Sequence, residues 1–282
     1  MKKWKCCEHD ITEADMPETR RQVFVECYTE QFSTILQLGF TAFIMTLPVL
    51  SAILWRDSSI LRAATQDDTH EQLIELYKAA NFKFGAIIAV AISLSFGLFS
   101  GVIRVLRQLV WREPIFYKED MRIGWTNDLG SFFLISFFAA ATSYLLDQLS
   151  ASILTYMMWG FYVVVILPVM IWMLLQTVYY RVGTLACIRN AVRYYLRTVP
   201  QTLLLLLCSA LPFWIVLTLI PYSFVKYLVL ILLVYFYVIP MMMVWLLYAC
   251  YIFDDMTNAT QYPQIYRRGL RPKIRTESND IQ

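Results

Sequence analysis

Long uncharged stretches dominate the pattern of apolar and polar positions along this chain of 282 residues. Six runs contain no Asp, Glu, Lys or Arg: residues 31–55, 84–103, 129–146, 148–180, 198–225 and 227–253. The hydrocarbon core of a bilayer is about 30 Å thick, and a helix needs roughly 20 apolar residues to cross it. The pattern therefore predicts an all-α membrane protein with six transmembrane helices.

Prolines within these runs predict where the helices deform. Proline has no backbone N–H and its ring clashes with the preceding turn, so it kinks or breaks a helix. Pro48 predicts a kink near the outer end of the first span, and Pro240 predicts a break in the sixth. The run 148–180 is longer than one crossing needs. Either its first turns lie flat on the membrane or the helix bends at Pro168.

Short interfacial helices are expected between and before the spans. The end of the N-terminal arm, residues 1–30, has apolar positions at helical spacing and predicts an amphipathic helix. A capping-box sequence that begins at Thr69 predicts a separate short helix within an external loop, 56–83. The segment 104–128 mixes basic and aromatic residues, which favours an interfacial helix. The basic segment 181–197 predicts another.

Basic residues are distributed unequally between the two predicted sides of the membrane. Of the 24 Lys and Arg residues, 19 lie on the side of both termini and 5 on the other side. Because basic segments stay in the cytoplasm, both termini are predicted to be cytoplasmic. The chain then divides into a cytoplasmic arm (1–30), a six-span membrane domain (31–256) and a basic cytoplasmic tail (257–282). Topology explains the basic clusters without a nucleic-acid partner.

Residues that carry catalytic or transport chemistry are scarce in the predicted spans. No acidic or basic residue lies deep in a span, whereas proton-coupled carriers usually need such groups there. The sequence has no GxxxxGK[ST], HExxH or GxSxG motif. The Cys-Cys-Glu-His sequence at 6–9 lacks the second ligand pair of a zinc site. Gln37 and Gln176, the bulkiest polar residues at depth, are explained by hydrogen bonds between helices. We therefore expect no cofactor, no metal and no enzymatic activity.

Charged residues at the ends of the last two spans are interpreted as solvated. Lys226 follows the fifth run and is long enough to reach the outer surface while its stem stays in the membrane. Asp254 and Asp255 follow the sixth run. A carboxylate pair there could bind a cation, but a solvated helix end is the simpler interpretation.

Two asparagines and a stripe of arginines are the candidate interaction residues. Asn127 and Asn190 each precede an outward-running span, at a position where an Asn amide can cap a helix or bond exposed backbone. Arg189, Arg193 and Arg197 recur every four residues and therefore form one stripe on a helix. We expect this stripe to serve topology and contact with the lipid bilayer.

Short motifs in a consistent order resemble the YesL family of bacterial integral membrane proteins. They are Leu47-Pro48-Val49 in the first span, Arg112-Glu113-Pro114, Asp120, Gly124 and Asn127 before the third, Asn190-Ala191 and Thr198-Val199-Pro200 before the fifth, and Ile252-Phe253-Asp254 at the end of the sixth. The resemblance covers most of residues 30–256, although the 56–83 loop is longer than the family's usual turn. The family has no established molecular activity. Its members tend to be encoded near carbohydrate-uptake ABC transporters and glycan-degrading enzymes, which implies a supporting role in sugar uptake.

The resemblance favours an accessory or assembly protein for carbohydrate uptake in the bacterial plasma membrane. Its expected partners are subunits of an ABC sugar transporter, and the oligomeric state is left open. A permease subunit of an ABC-type sugar importer is the alternative, because six spans and a cytoplasmic helix that ends before Pro200 fit that class. However, residues 181–197 lack the Glu-Ala-Ala and Gly pattern of its coupling loop. A membrane-bound enzyme or sensor is a further alternative.

Overall fold

Helices make up nearly all of the described structure. The computed structural model describes residues 16–64, 69–220 and 224–271. The helices are α1 (Arg20–Glu30), α2 (Phe32–Ala63), α3 (His70–Trp111), α4 (Tyr117–Asp147), α5 (Ile153–Phe161), α6 (Leu167–Tyr179), α7 (Thr184–Arg197), α8 (Val199–Leu219), α9 (Phe224–Phe236), α10 (Val238–Phe253) and α11 (Ala259–Gln261). Within the described residues, six helical segments are long and apolar enough to cross a membrane. This confirms the predicted fold class.

The bundle has two ends, which we name by the segments found there. The terminal side carries α1, α7 and residues 254–271, whereas the far side carries the C-terminal ends of α2, α4 and α8. Residues 1–15 of the predicted arm and 272–282 of the predicted tail lie outside the described residues, as does the Cys-Cys-Glu-His sequence at 6–9.

The connection between the first two spans is shorter than predicted. Helix α2 continues past Arg56 to Ala63, and α3 runs without interruption from His70 to Trp111. Thr69 and Gln72 form the predicted capping box, but the helix that they cap is the start of the second span. The prediction of a separate short helix in a 56–83 loop was wrong, because the described polar residues on both sides extend the helices of the two spans.

The segment 104–128 also lacks the separate interfacial helix that was predicted. Helix α3 ends at Trp111, and Arg112 adopts a left-handed conformation with φ 57°. A short extended stretch follows, and α4 begins at Tyr117. Gln108 on α3 donates to the Asp120 carboxylate at 2.7 Å. That carboxylate also accepts the backbone N–H of Phe116 at 2.7 Å. These bonds close the turn tightly, so the two spans meet without an intervening helix.

The long fourth run is one crossing with a widened turn before its proline. Residues 148–152 form a turn, and the helical run continues from Ile153 to Tyr179 through a π-helical turn at Tyr162–Ile166. Pro168 has no N–H to donate to the carbonyl of Val164. The hydroxyl of Tyr195 on α7 donates to that carbonyl instead. The predicted deformation at Pro168 therefore also provides a contact that holds α7 against the fourth span.

The break predicted at Pro240 separates α9 from α10. Helix α9 ends at Phe236, and α10 begins at Val238. Proline at 240 cannot donate to the carbonyl four residues earlier, which is that of Phe236. The final crossing therefore consists of two pieces, and α9 alone is a shorter apolar helix of 13 residues.

An aromatic cluster joins α6, α7 and α10 on the terminal side. The ring of Phe253 lies with its centroid 5.0 Å from Tyr194, 5.2 Å from Tyr180, 5.3 Å from Tyr179 and 5.8 Å from Trp172. Trp172, Tyr194 and Phe253 are almost completely buried. Aromatic pairs at such distances contribute about 0.5–1.5 kcal/mol beyond their burial. This cluster packs the end of the last crossing against α6 and α7.

The interpretation of Asp254 as a solvated helix end was wrong. Its side chain is buried and accepts from Arg20 at 2.7 Å, Asn258 at 2.8 Å and the backbone N–H of Arg267 at 3.1 Å. Arg20 lies on α1, and Arg267 lies beyond the last helix. One carboxylate therefore ties the described parts of the arm and the tail to the end of the final crossing.

Glycine is required where the tail passes the end of α3. Gly269 has φ +78°, and a Cβ there would lie 2.8 Å from the carbonyl oxygen of Val110. The next turn of the tail is held by a bond from the Arg271 N–H to the Pro17 carbonyl at 2.9 Å. The described part of the tail is therefore packed against both the arm and the second span.

On the far side, the interpretation of Lys226 as a residue reaching the surface was wrong. Its ammonium group lies 3.5 Å from the carboxylate of Asp57, and the two side chains are 4% and 2% exposed. The hydroxyl of Tyr227 donates to the same carboxylate at 2.7 Å. Arg56 adds bonds at 2.8 and 3.0 Å. A buried charge network therefore joins the end of α2 to the start of α9.

Candidate functional site

A cavity of about 450 Å³ lies among the membrane-crossing helices. Its walls come from α3, α4, α6, α8, α10 and the π-helical turn after α5. Isoleucine, leucine, methionine and phenylalanine supply most of the lining, with Phe132, Met170, Leu174 and Phe213 as examples from three helices. Ligand sites in proteins range over roughly 300–1,000 Å³ and are mostly apolar. The cavity is therefore large enough to be a binding site, and its walls suit an apolar ligand.

The few polar groups in the wall use their hydrogen bonds within the protein. Ser136 donates to the Phe132 carbonyl at 2.6 Å, and Tyr162 donates to the Ala139 carbonyl at 2.9 Å. The indole of Trp245 donates to Ser209 at 2.9 Å. Because the donor groups of these side chains are already engaged, they offer little to a polar ligand, which loses its water on entering.

One side of the cavity is formed by a loosely packed helix. Along the 21 residues of α8, only Thr202 and Val216 are buried. Leu206, Ser209 and Phe213 of this helix face the cavity. Since few buried contacts hold α8, this wall is the part of the cavity that can move with the least loss of packing.

Charged residues stand one helical turn beyond the cavity towards the terminal side. On α3, Arg107 follows the lining residue Ile103 by four positions, and on α4, Asp128 precedes the lining residue Phe132 by four. Residues four apart share a helix face. The cavity-facing stripes of two helices therefore end in charged side chains.

The Asp128 carboxylate is influenced by several basic groups from other segments. Asp128 lies within electrostatic range of Arg104, Arg107 and Arg181. Arg107 is buried, lies with its guanidinium carbon 4.6 Å from the Trp111 ring centre, and donates to the Val178 carbonyl at 2.6 Å. Val178 also lines the cavity. Arg107 also lies within electrostatic range of Glu113. Basic groups therefore outnumber acidic groups at this end of the cavity, and we call Arg104, Arg107, Arg181 and Asp128 the charged rim.

The predicted arginine stripe lies on α7 and is exposed. Arg189, Arg193 and Arg197 all have exposed side chains, and Arg197 pairs with Asp255 at 3.0 Å. The remaining surface of α7 has two further faces. Cys187, Ala191, Tyr194 and Tyr195 are buried against the bundle, whereas Leu185, Ile188, Val192 and Leu196 are exposed apolar residues. A helix with a docked face, an exposed apolar face and a basic face fits the boundary between lipid and water.

The other predicted residues have different positions. Pro48 lies within α2, which continues through it, and Pro200 lies in the first turn of α8, where proline is well tolerated. Asn127 and Asn190 lie inside α4 and α7, several residues from either helix end. The interpretation of both asparagines as helix caps was therefore wrong. Gln176 bonds the Cys187 carbonyl of α7 at 3.2 Å, which confirms its role between helices.

Sequence reasoning missed the charged rim and the network at Asp57. Arg104 and Arg107 were assigned to an interfacial helix outside the spans, because a polar segment beside a span has the same composition whether it leaves the bundle or continues the helix. Their spacing from the apolar residues of α3 was the available signal. In the residues that the structure describes, no group of three or more His, Cys, Asp or Glu side chains could hold a metal ion.

Comparison with known proteins adds no further assignment. No protein-family model, curated protein or solved structure gives a significant match to this chain.

Proposed function

We propose that this chain is a non-conducting accessory or assembly protein for carbohydrate uptake in the bacterial plasma membrane, with both termini in the cytoplasm. The single observation that carries the non-conducting part is the apolar wall of the intramembrane cavity. The link to carbohydrate uptake rests on the resemblance to the YesL family. ABC-transporter subunits are the proposed partners.

The wall chemistry argues against a sugar pathway through this cavity. Each sugar hydroxyl that loses water needs a replacement hydrogen bond, and an unmet polar group costs roughly 1–3 kcal/mol in a protein. The hydroxyls of Ser136, Tyr162 and Ser209 are bonded to protein groups. A sugar with several hydroxyls would therefore be disfavoured here, which supports an accessory role over the permease alternative.

The position of α7 also favours an accessory role. The coupling helix of a permease must dock an apolar face into its ATPase, and the best-packed face of α7, with Tyr194 and Ala191, is already buried against its own chain. The faces left for other molecules are the arginine stripe and the apolar stripe of Leu185 and Leu196. These two faces suit the membrane surface.

Affinity purification in mild detergent, followed by mass spectrometry, tests the proposal. We expect permease and ATPase subunits of a sugar importer to co-purify with the tagged chain, at levels above those from cells with an untagged chain. Recovery of the tagged chain without importer subunits, from cells that express the importer, would refute the accessory role.

Single added cysteines test the orientation. Ala151 lies in the exposed turn between α4 and α5, and Gly183 lies in the exposed segment before α7, where a Cβ meets no atom within 4 Å. We expect Ala151→Cys to react with a membrane-impermeant thiol reagent in intact cells, and Gly183→Cys to react only after lysis. The unmodified parent chain is the control for native cysteines. Labelling of Gly183→Cys alone in intact cells would reverse the orientation.

Conservative replacement of the arginine stripe tests whether α7 needs only positive charge or specifically arginine. We expect the triple variant Arg189→Lys, Arg193→Lys, Arg197→Lys to insert normally and to support sugar uptake, because charge alone is needed. The Arg197–Asp255 side chains are 62% and 51% exposed, and exposed pairs contribute only about 0–1 kcal/mol.

The matched control replaces the same three arginines with glutamine. We expect that variant to insert less well, because it removes the positive charge that holds this segment in the cytoplasm. Normal insertion of the lysine variant with loss of sugar uptake would contradict the prediction. It would indicate specific recognition of arginine by a partner and favour the permease alternative.

A further inference from the structure

We propose that the intramembrane cavity binds one acyl chain of an anionic lipid, whose phosphate lies at the charged rim formed by Arg104, Arg107, Arg181 and Asp128. This inference does not depend on a role in sugar uptake.

The cavity matches an acyl chain in chemistry and in volume. Its lining is apolar and its volume is about 450 Å³. A helix of a partner protein is about 10 Å wide and rises 5.4 Å per turn, so roughly one turn would fill this space. A flexible hydrocarbon chain can adapt to such a space, and each buried CH₂ contributes favourably.

The rim supplies the charge complementarity for a phosphate. Arg104, Arg107 and Arg181 lie within electrostatic range of Asp128, and Arg107 also lies within range of Glu113, so basic groups outnumber acidic groups at the rim. Arg104 and Arg107 also lie close enough to repel each other. An anion placed between them relieves this repulsion, and arginine binds phosphate through charge-assisted hydrogen bonds.

Unused hydrogen-bond donors support the same assignment. The Nε atoms of Arg104 and Arg107 are buried and have no hydrogen-bond partner among the described residues. The whole Arg107 residue is 7% exposed. A buried donor without a partner is costly, and more so for a charged group. A phosphate oxygen at the rim would satisfy these donors.

The geometry connects the head site to the chain site directly. Arg107 donates to the carbonyl of Val178, whose residue lines the cavity, and Arg107 follows the lining residue Ile103 by one helical turn. A lipid with its phosphate at the rim therefore has the cavity within reach of its first methylenes. A zwitterionic lipid such as phosphatidylcholine also brings a phosphate, but its choline group adds a positive charge, so the excess charge of the rim stays uncompensated.

Lipid retention by the full chain tests the proposal. The chain is reconstituted in bilayers that contain equal amounts of phosphatidylglycerol and phosphatidylcholine with identical acyl chains, extracted in mild detergent, and analysed by native mass spectrometry. We expect one phosphatidylglycerol to be retained in preference to phosphatidylcholine. Equal retention of the two lipids, or retention of neither, would overturn the proposal.

Paired variants separate the chain site from the head site. Leu174→Trp places a larger side chain in the cavity and should lower retention, whereas Leu207→Trp makes the same change on the exposed face of α8, outside the lining, and should not. Arg104→Gln should lower the preference for phosphatidylglycerol about fivefold, which corresponds to the ~1 kcal/mol of one basic side chain near anionic lipid. The exposed Arg189→Gln is its control.

Each possible result of these variants either supports or overturns the lipid proposal. Unchanged retention in Leu174→Trp would place the lipid outside the cavity and overturn the proposal. An equal effect of Arg104→Gln and Arg189→Gln would also overturn it, because general surface charge would then explain the preference. If Leu174→Trp instead releases a co-purified protein segment with no change in lipid, the cavity holds a partner protein and the lipid assignment is wrong.

Discussion

Replacement of Asp57 by asparagine is expected to lower the free energy of unfolding by about 3–5 kcal/mol, because it removes the charge of one partner in a buried ion pair. Asp57 and Lys226 are almost completely buried and lie 3.5 Å apart, although they are 169 residues apart in the chain. The neutral amide removes a buried negative charge that lies beside the ammonium of Lys226 and the guanidinium of Arg56. Unfolding by heat or denaturant in detergent micelles measures the loss.

Two comparisons make this prediction specific. Asp147→Asn changes an exposed carboxylate on the same side, which accepts one bond from Asn81 at 3.3 Å, and should stay within about 0.5 kcal/mol of the parent. The double variant Asp57→Asn, Lys226→Met should recover part of the loss, since both charges are then absent. Equal stability of Asp57→Asn and Asp147→Asn would contradict the prediction.

Substitution of alanine at Gly39 or Gly124 is expected to destabilise the fold by about 1–3 kcal/mol, the usual cost of overpacking. A Cβ at Gly39 would lie 2.4 Å from the carbonyl oxygen of Tyr235. A Cβ at Gly124 would lie 2.7 Å from the Cα of Gly101. Both neighbours are backbone atoms, so relief requires two helices to separate. Small residues at such crossings let membrane helices approach closely.

Gly130 provides the matched control on the same helix as Gly124. A Cβ at Gly130 meets no atom within 4 Å. Gly130→Ala should therefore be neutral or stabilising, because alanine favours the helix by up to about 1 kcal/mol over glycine. The measurement is again unfolding in detergent, with correct insertion checked first. A loss in Gly130→Ala as large as that in Gly124→Ala would show that the close helix contact is not the cause.

The crossings could be predicted from the sequence because the bilayer imposes a length and a polarity on each of them. The breaks were predictable for a similar reason, since Pro240 removes a hydrogen bond wherever it occurs in a helix. The helix ends were not. Glu71–Lys83 was predicted to be part of a separate short helix, yet it continues into the second span as α3. A polar helix that stands alone and one that extends a span have similar compositions, so local sequence does not distinguish them.

Burial of charge was the second feature that local sequence could not predict. Whether Asp57 is solvated depends on Lys226 and Tyr227, and whether Asp254 is solvated depends on Arg20 and the tail. Such partners are identified only by the fold, because they are distant in the chain.

The cavity could not be predicted because its lining looks like any lipid-facing surface. Leu174 lines the cavity and Leu207 is exposed on the outside of α8, yet both are leucines within uncharged runs. Only the packing of several helices decides which apolar residues surround an internal space. The charged rim could not be predicted for a related reason, since its members come from three separate segments of the chain.

Sugar uptake into proteoliposomes is the most direct test of a non-conducting accessory role. Vesicles are prepared with the purified chain alone, with the importer that co-purifies with it, and with both together. We predict no sugar influx with the chain alone, and ATP-driven influx with the importer that rises when the chain is added. Sugar influx into vesicles that contain only this chain would contradict the proposed function.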